Sequence, residues 1–263
     1  MQFFSTRNPT HRVSFQEAVF TGLAPDGGLY HPVQTPQLKP LIETFTPSNT
    51  FAEIATALLP ALFPEEISPA AAKRISHRAF TFSPAIRNLP DRKGVSIKLL
   101  ELFHGPSCAF KDFGASFLAS IMEEFLAQAQ SHAIILTATS GDTGSAVARA
   151  FYKRSHIDVV ILYPSQRVSP LQEKQLTTLG ENIHALEIQG SFDDCQRMVK
   201  ESFVDPELTH KLRLTSANSI NIGRLIPQAF YYIWAFVQLS PTDKKKCLFC
   251  VPSGNFGNLT AGV

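Results

Sequence analysis

Apolar and polar positions alternate in two different ways along the chain, and the change falls near residue 130. Residues 1 to 93 read as helical and loop-rich. Ser14 followed three residues later by Glu17, with Phe15, Ala18 and Val19 between and after, predicts a capped first helix. Two further helices are predicted over 49–59 and 68–78, and Pro84, Pro90 and Gly94 punctuate the exit. A short apolar strand over 95–103 then runs into a loop, and Ala115, Leu118, Ala119, Met122 and Leu126 follow at helical spacing.

From residue 131 strands and helices alternate. Strands are predicted over 133–136, 158–163 and 182–188, and helices from 140–144 to about 152, over 169–179 and over 192–203. This β-α-β-α-β-α series implies a parallel sheet with right-handed crossovers. Its nearly all-apolar strands suit a sheet with helices on both faces. A final unit over 215–263 holds a long aromatic helix from Arg224 or Pro227 to Val237 and a buried strand over 247–251, which leads into a glycine-rich loop. The fold class is therefore α/β.

Composition narrows the function classes. Hydrophobic residues make up 44% and charged residues 17%, as in an ordinary soluble domain with a sizeable core. A net charge of +2 gives no reason to expect nucleic acid or an anionic membrane as partner. Lys244, Lys245 and Lys246 read as a solvated edge. No apolar stretch reaches membrane-spanning length and no signal pattern opens the chain, so a cytoplasmic location is expected. Four cysteines do not make a disulfide framework, and the lone C-x-x-C of Cys247 and Cys250 is weak evidence for zinc. No metal is expected.

Chemistry concentrates in four loops. In 104–114 one lysine, Lys111, sits between Phe110 and Phe113, after a Gly-Pro turn and at a helix start. Such a lysine is poorly hydrated, which together with the positive helix end favours its neutral amine, the form that makes Schiff bases with aldehydes. A solvated Lys–Asp doublet is the plain alternative. The run Ser253-Gly254-Asn255-Phe256-Gly257-Asn258 follows an apolar strand and suits a phosphate ester held by backbone N–H groups, or else a simple strand-to-helix turn. No Walker A lysine follows it. The loop Ser140-Gly141-Asp142-Thr143-Gly144 offers N–H groups and hydroxyls to a carboxylate or a ring oxygen, or caps a helix. Asn218, Ser219, Asn221 and Arg224 form a polar cluster before an apolar helix, suited to a second phosphate or to a helix start with a solvated arginine. His104 reads as a loop-ordering residue, and Asp26-Gly27-Gly28 as a structural turn.

The 104–114 stretch resembles the cofactor-lysine motif of the threonine synthase family, HGPT-x-AFKDFG, with Ser107 at the Thr and Cys108 at the variable position. The runs 137–146 and 252–260, together with 24–30 and 218–224, resemble the same family in the same order, so the resemblance covers essentially the whole chain. It implies a fold type II pyridoxal-phosphate enzyme: parallel three-layer α/β sheets with a helical N-terminal domain. The implied division is 1–93 as the N-terminal domain, 94–130 with 215–263 as the large cofactor domain, and 131–214 as the small domain.

By that resemblance Lys111 carries pyridoxal 5'-phosphate as a Schiff base and serves as general base and acid. Gly254, Asn255, Phe256, Gly257 and Asn258 cup the cofactor phosphate. Ser140, Gly141, Asp142, Thr143 and Gly144 border the ring and receive the amino-acid carboxylate, and Asn218, Ser219, Asn221 and Arg224 serve the substrate. The implied activity is that of a carbon–oxygen lyase acting on phosphates, converting O-phospho-L-homoserine and water to L-threonine and phosphate. A phospho-lyase or dehydratase relative, or an inactive fragment, is the rival reading. A monomer or weak homodimer acting on a small molecule is expected. Family members continue past Val263. The chain is accordingly read as the N-terminal part of a longer enzyme with the C-terminal part of its large domain missing, binding the cofactor weakly or not at all, inactive alone, and with apolar surface near Phe230 and Trp234 exposed or covered by another chain.

Overall fold

The computed structural model describes residues 1–139 and 141–263, with all their side chains except those of Arg92 and Asp142. Strands β1 (Phe3–Ser5) and β2 (Arg12–Val13), helix α1 (Phe15–Thr21) and strand β3 (Tyr30–Pro32) come first. The strands form an antiparallel sheet in the order β2-β1-β3. Helices α2 (Lys39–Ile42), α3 (Phe51–Leu62) and α4 (Pro69–Ala79) follow. Three helix starts are fixed by hydroxyl caps: Ser14 Oγ accepts from Glu17 N, Thr50 and Glu53 form a reciprocal capping box, and Ser68 Oγ accepts from Ala71 N. The three strands lie inside a region that the pattern assigns to helix and loop. Strands of two or three residues are too short to display alternation, so pairing alone reveals them.

Strands β4 (Ala85–Arg92) and β5 (Val95–Glu101) form an antiparallel hairpin with a register shift between Leu89 and Arg92. Helix α5 (Lys111–Ala129) follows, then strand β6 (Ala133–Ala138), helix α6 (Asp142–Phe151), strand β7 (Ile157–Pro164), helix α7 (Pro170–Thr177), strand β8 (Ile183–Ile188), helices α8 (Phe192–Val204) and α9 (Pro206–Lys211) and strand β9 (Leu214–Thr215). The parallel sheet has the order β8-β7-β6-β9, as the alternating pattern predicts. Thr215 Oγ1 donates to Phe20 O at 2.6 Å and ties this sheet to the end of α1.

Helix α10 (Ile222–Val237) packs against α5 and α3, and helices α11 (Pro241–Lys244) and α12 (Gly257–Thr260) complete the described chain. At the packing centre Phe113 is fully buried, with ring centroids 5.1 Å from Phe51, 4.9 Å from Phe82 and 5.6 Å from Tyr231. Two expectations are corrected here. Phe230 is only 1% exposed and meets Phe117 edge-on at 6.2 Å, because α10 turns that face onto α5, and Trp234 packs at the margin of the same core. The strand expected over 247–251 does not form: Cys247, Leu248, Phe249 and Cys250 are exposed, Leu248 by 88%. A strand exists only where a neighbour accepts its ladder, and no described segment pairs with this one.

The far half of α5 carries two buried acids. Glu124 accepts from Arg78 Nη2 at 3.0 Å and from Arg74 Nη2 at 2.5 Å. Glu123 accepts from Arg78 Nη1 at 2.7 Å, Arg154 Nη1 at 3.3 Å and Ser155 N at 2.9 Å. Burial pushes the Glu124 carboxyl up, but the two arginines together outweigh it and leave it below the usual carboxylate value. Its folded value is thus below its unfolded one, so the stabilisation is present above about pH 4.3 and is lost as pH falls through the folded value. We predict that Glu124→Gln destabilises the protein by about 1–3 kcal/mol at pH 7. The gap between parent and variant in urea melts should close on acidification, and a gap independent of pH would contradict this.

Candidate active site

Lys111 is the first residue of α5, so the preceding loop decides where its side chain begins. That loop is closed by Cys108 N donating to Gly105 O at 3.0 Å, with Cys108 in the left-handed region at φ 57°. Asp112, next to the lysine, is 1% exposed. Its Oδ2 accepts from Ser107 N at 2.9 Å and its Oδ1 from Ser107 Oγ at 2.6 Å. A Cβ on Gly105 would lie 2.4 Å from Asp112 Oδ2, so only glycine fits there. Lys111 itself is half-buried, with Nζ 5.4 Å from the Phe110 ring centroid. The acid is therefore no solvated doublet partner. Burial raises its carboxyl, against hydrogen bonds from Ser107 and the charge of Arg224. His104 Nε2 lies 2.8 Å from Glu101 Oε2, a contact that holds the loop entrance to β5.

The loop between β6 and α6 is organised by Thr139, a residue the sequence pattern does not single out. Its buried Oγ1 accepts from Gly144 N at 2.9 Å and Gly141 N at 3.2 Å, and donates to Gly141 O at 3.0 Å. A Cβ on Gly144 would meet Thr139 Cγ2 at 2.4 Å. The available signal was a threonine two residues before a glycine, the arrangement of side-chain-to-backbone turns. Thr143 is half-buried; Ser140 and the Asp142 side chain lie outside the described residues.

The segment before α10 comes to the end of β6, where Thr137 Oγ1 donates to Asn218 Oδ1 at 3.4 Å. Asn218 is half-buried and Ser219 exposed. Asn221 is fully buried as the helix cap: its Nδ2 donates to Val19 O at 2.8 Å and Ser216 O at 3.0 Å, and its Oδ1 accepts from Gly223 N at 2.9 Å. Arg224 is 2% exposed, donates from Nη1 to Ala217 O at 2.8 Å, and keeps its buried Nε without a partner. Burial brings its guanidinium down to about 10, opposed by the charge of Asp112. Arg224 O would be 2.6 Å from a Cβ on Gly114, so a glycine allows α5 and α10 to cross at backbone contact.

The run 253–258 rests on α10. Tyr232 OH donates to Asn258 O at 2.6 Å, Asn258 Nδ2 donates to Pro252 O at 3.0 Å, and Ser253 Oγ bonds Asn258 Oδ1. Phe256 takes the left-handed conformation at φ 57° and starts α12. Positions 254 and 257 are open: a Cβ on either would meet nothing within 4 Å. No hydrogen bond among the described residues engages the backbone N–H of Gly254, Asn255 or Phe256. The structure thus joins the loop before Lys111 to α5 through Ser107 and Asp112, and the β6 end to Asn218. Clefts of about 390 Å³ beside Phe20 and Arg213 and about 300 Å³ beside Phe45 and Phe236 lie elsewhere. Among the described residues no cluster of His, Cys, Asp or Glu could hold a metal ion, and no helix is long and apolar enough to cross a membrane.

Comparison with known proteins agrees with this layout. Residues 2–80 match the family described as "Threonine synthase N terminus" and residues 82–263 the family "Pyridoxal-phosphate dependent enzyme". The threonine synthases of Serratia marcescens and Escherichia coli are 43% and 42% identical over 263 residues. The match takes in 100% of this chain, which spans about 60% of the length of these relatives. The crystal structure of the Escherichia coli enzyme superposes with a TM-score of 0.86, covering 100% of this chain and 60% of that one. A pyridoxal-phosphate-bound threonine synthase from Brucella melitensis superposes at 0.87 with 39% identity, covering 100% and 57%. With one family matched across its first 80 residues, the other across the rest, and full-chain superposition on solved members, the chain belongs to the pyridoxal-phosphate-dependent enzymes of the threonine synthase family.

Proposed function

We propose that the protein carrying this chain is a threonine synthase that binds pyridoxal phosphate at Lys111 and converts O-phospho-L-homoserine and water to L-threonine and phosphate. The observation that carries this reading is a half-buried lysine fixed at the start of α5 by a locked loop, in a fold that also presents an open glycine run with unengaged N–H donors. The residues present fit the cofactor on that count. Free N–H groups at Gly254, Asn255 and Phe256, open Cβ directions at Gly254 and Gly257 and a left-handed Phe256 are what an incoming phosphate ester requires. Asn258 sets the shape of this run by its bonds to Ser253 and Pro252.

When bound, the cofactor supplies an electron sink for charge developing at substrate carbons. The chain supplies the rest. The Lys111 amine would hold the cofactor and would take and return protons at the α and β carbons of the substrate. At the start of α6 the N–H groups of Gly141 and Gly144 are held by Thr139 Oγ1, so the loop meets the substrate carboxylate with Thr143. Asn218 and Ser219 face the substrate phosphate, while Asn221 and Arg224 anchor that segment from beneath. Loss of a β proton with departure of phosphate from the γ carbon leaves a β–γ double bond, and water adds across it, a proton at the γ carbon and hydroxyl at the β carbon, so the reaction balances. In this reading residues 1–93 form one domain, 94–130 with 215–263 the cofactor domain, and 131–214 the small domain.

The protein, supplied with pyridoxal phosphate and O-phospho-L-homoserine, should release phosphate and L-threonine in equal amounts. Phosphate release accompanied by a 2-oxo acid and ammonia would instead identify a lyase or dehydratase relative and overturn the reading.

A further inference from the structure

Asp112 follows the lysine directly and is buried where Lys111 is only half-buried. Successive helical residues diverge by about 100° around the axis, so a lysine on the site side places its neighbour toward the interior. There the carboxylate is 1% exposed, and burying a charge is unfavourable unless it is bonded and paired. Two observations show how it is compensated. Ser107 donates both N–H and Oγ–H to it, five residues back across the loop. Arg224, 2% exposed, adds a favourable charge, from the helix that crosses α5 at Gly114.

We propose that Asp112 is a positioning residue for Lys111, holding the 104–110 loop through Ser107. This rests on Lys111 being the cofactor lysine. The loop carries its own reporter in the Ser107 backbone N–H, which donates to Asp112 Oδ2 at 2.9 Å and is protected from solvent exchange while that bond holds. Buried Cys195 serves as the control for global unfolding.

The test compares the protein with its Asp112→Asn, Ser107→Ala and Ser107→Thr variants. Backbone amide hydrogen exchange of each is read across 104–110, Cys195 is probed with a thiol alkylating reagent, and each protein is then incubated with pyridoxal phosphate and borohydride. Loss of a hydrogen bond to a charged group corresponds to about tenfold in an opening equilibrium. Exchange in the 104–110 loop should therefore rise about tenfold in Asp112→Asn and Ser107→Ala. Ser107→Thr, which restores the hydroxyl, should exchange like the parent. Cofactor fixed at Lys111 should fall in the first two variants and persist in the third. Parent-like exchange of the loop in both Asp112→Asn and Ser107→Ala overturns the proposal, as does faster exchange with undiminished fixation at Lys111. If Asp112→Asn exposes Cys195 and so unfolds, Ser107→Ala decides alone. If the parent itself fixes no cofactor at Lys111, the cofactor reading fails and takes the positioning role with it, whereas a failure of the positioning role alone leaves parent fixation intact.

Discussion

Under the proposed function, Lys111→Ala is expected to remove the visible absorbance of the bound cofactor and to leave no borohydride-fixable cofactor on the peptide spanning 104–128. Turnover of O-phospho-L-homoserine falls by at least about 10²–10⁴-fold, the range for loss of a positioned general base, since no other amine stands at this place in the motif. Lys111→Arg is expected to do the same, because a guanidinium keeps the charge but forms no Schiff base with an aldehyde under these conditions. The fold should survive either change: Lys111 is half-buried at the helix start, and Asp112 holds the loop through Ser107. Peptide mapping after borohydride reduction checks the assignment. Label on a different lysine, or a variant that still fixes cofactor, would show that the site lies elsewhere.

Two residues further on, Phe113→Ala should be the most destabilising single change in the same motif. The ring is fully buried and gathers Phe51 from α3, Phe82 from the segment after α4 and Tyr231 from α10 onto α5, so its removal opens a cavity shared by four parts of the chain. Phenylalanine-to-alanine changes of this kind cost about 3–5 kcal/mol. Phe113→Leu should cost less because it refills part of the volume. Urea melts followed by far-ultraviolet circular dichroism measure both. A loss below about 1 kcal/mol for Phe113→Ala would mean that the aromatic cluster collapses onto the gap, and that the cluster does not hold α5 against α3 and α10. Because α5 starts at Lys111, the same variant should also weaken cofactor fixation.

Local signals were sufficient where the physics is local. Ser14, Thr50 and Ser68 cap the helices they announce, since a hydroxyl and an N–H three residues on are neighbours in any helix start. The parallel sheet β8-β7-β6-β9 follows from alternating apolar strands and amphipathic helices. The threonine synthase family is likewise legible from five ordered motifs, and the whole-chain relatives agree. The short strands β1, β2 and β3 were not legible, because two or three residues show no period. Nor was the unpaired state of 247–251, whose apolar sequence describes a strand but cannot provide its neighbour.

At the site the same boundary runs between residue type and environment. The chain alone identifies a lysine after a Gly-Pro turn and glycine runs suited to anions. It does not say that Asp112 turns inward to bond Ser107, that Thr139 ties its loop, or that Asn221 and Arg224 lie beneath the surface. Those facts depend on α5 and α10 crossing at Gly114, on which face of α10 meets the core, and on α1 reaching Asn221 through Val19. Such contacts join residues up to two hundred positions apart. Motif spacing therefore determined which groups are present, while burial and pairing, which set what each group can do, were decided only when distant segments packed together.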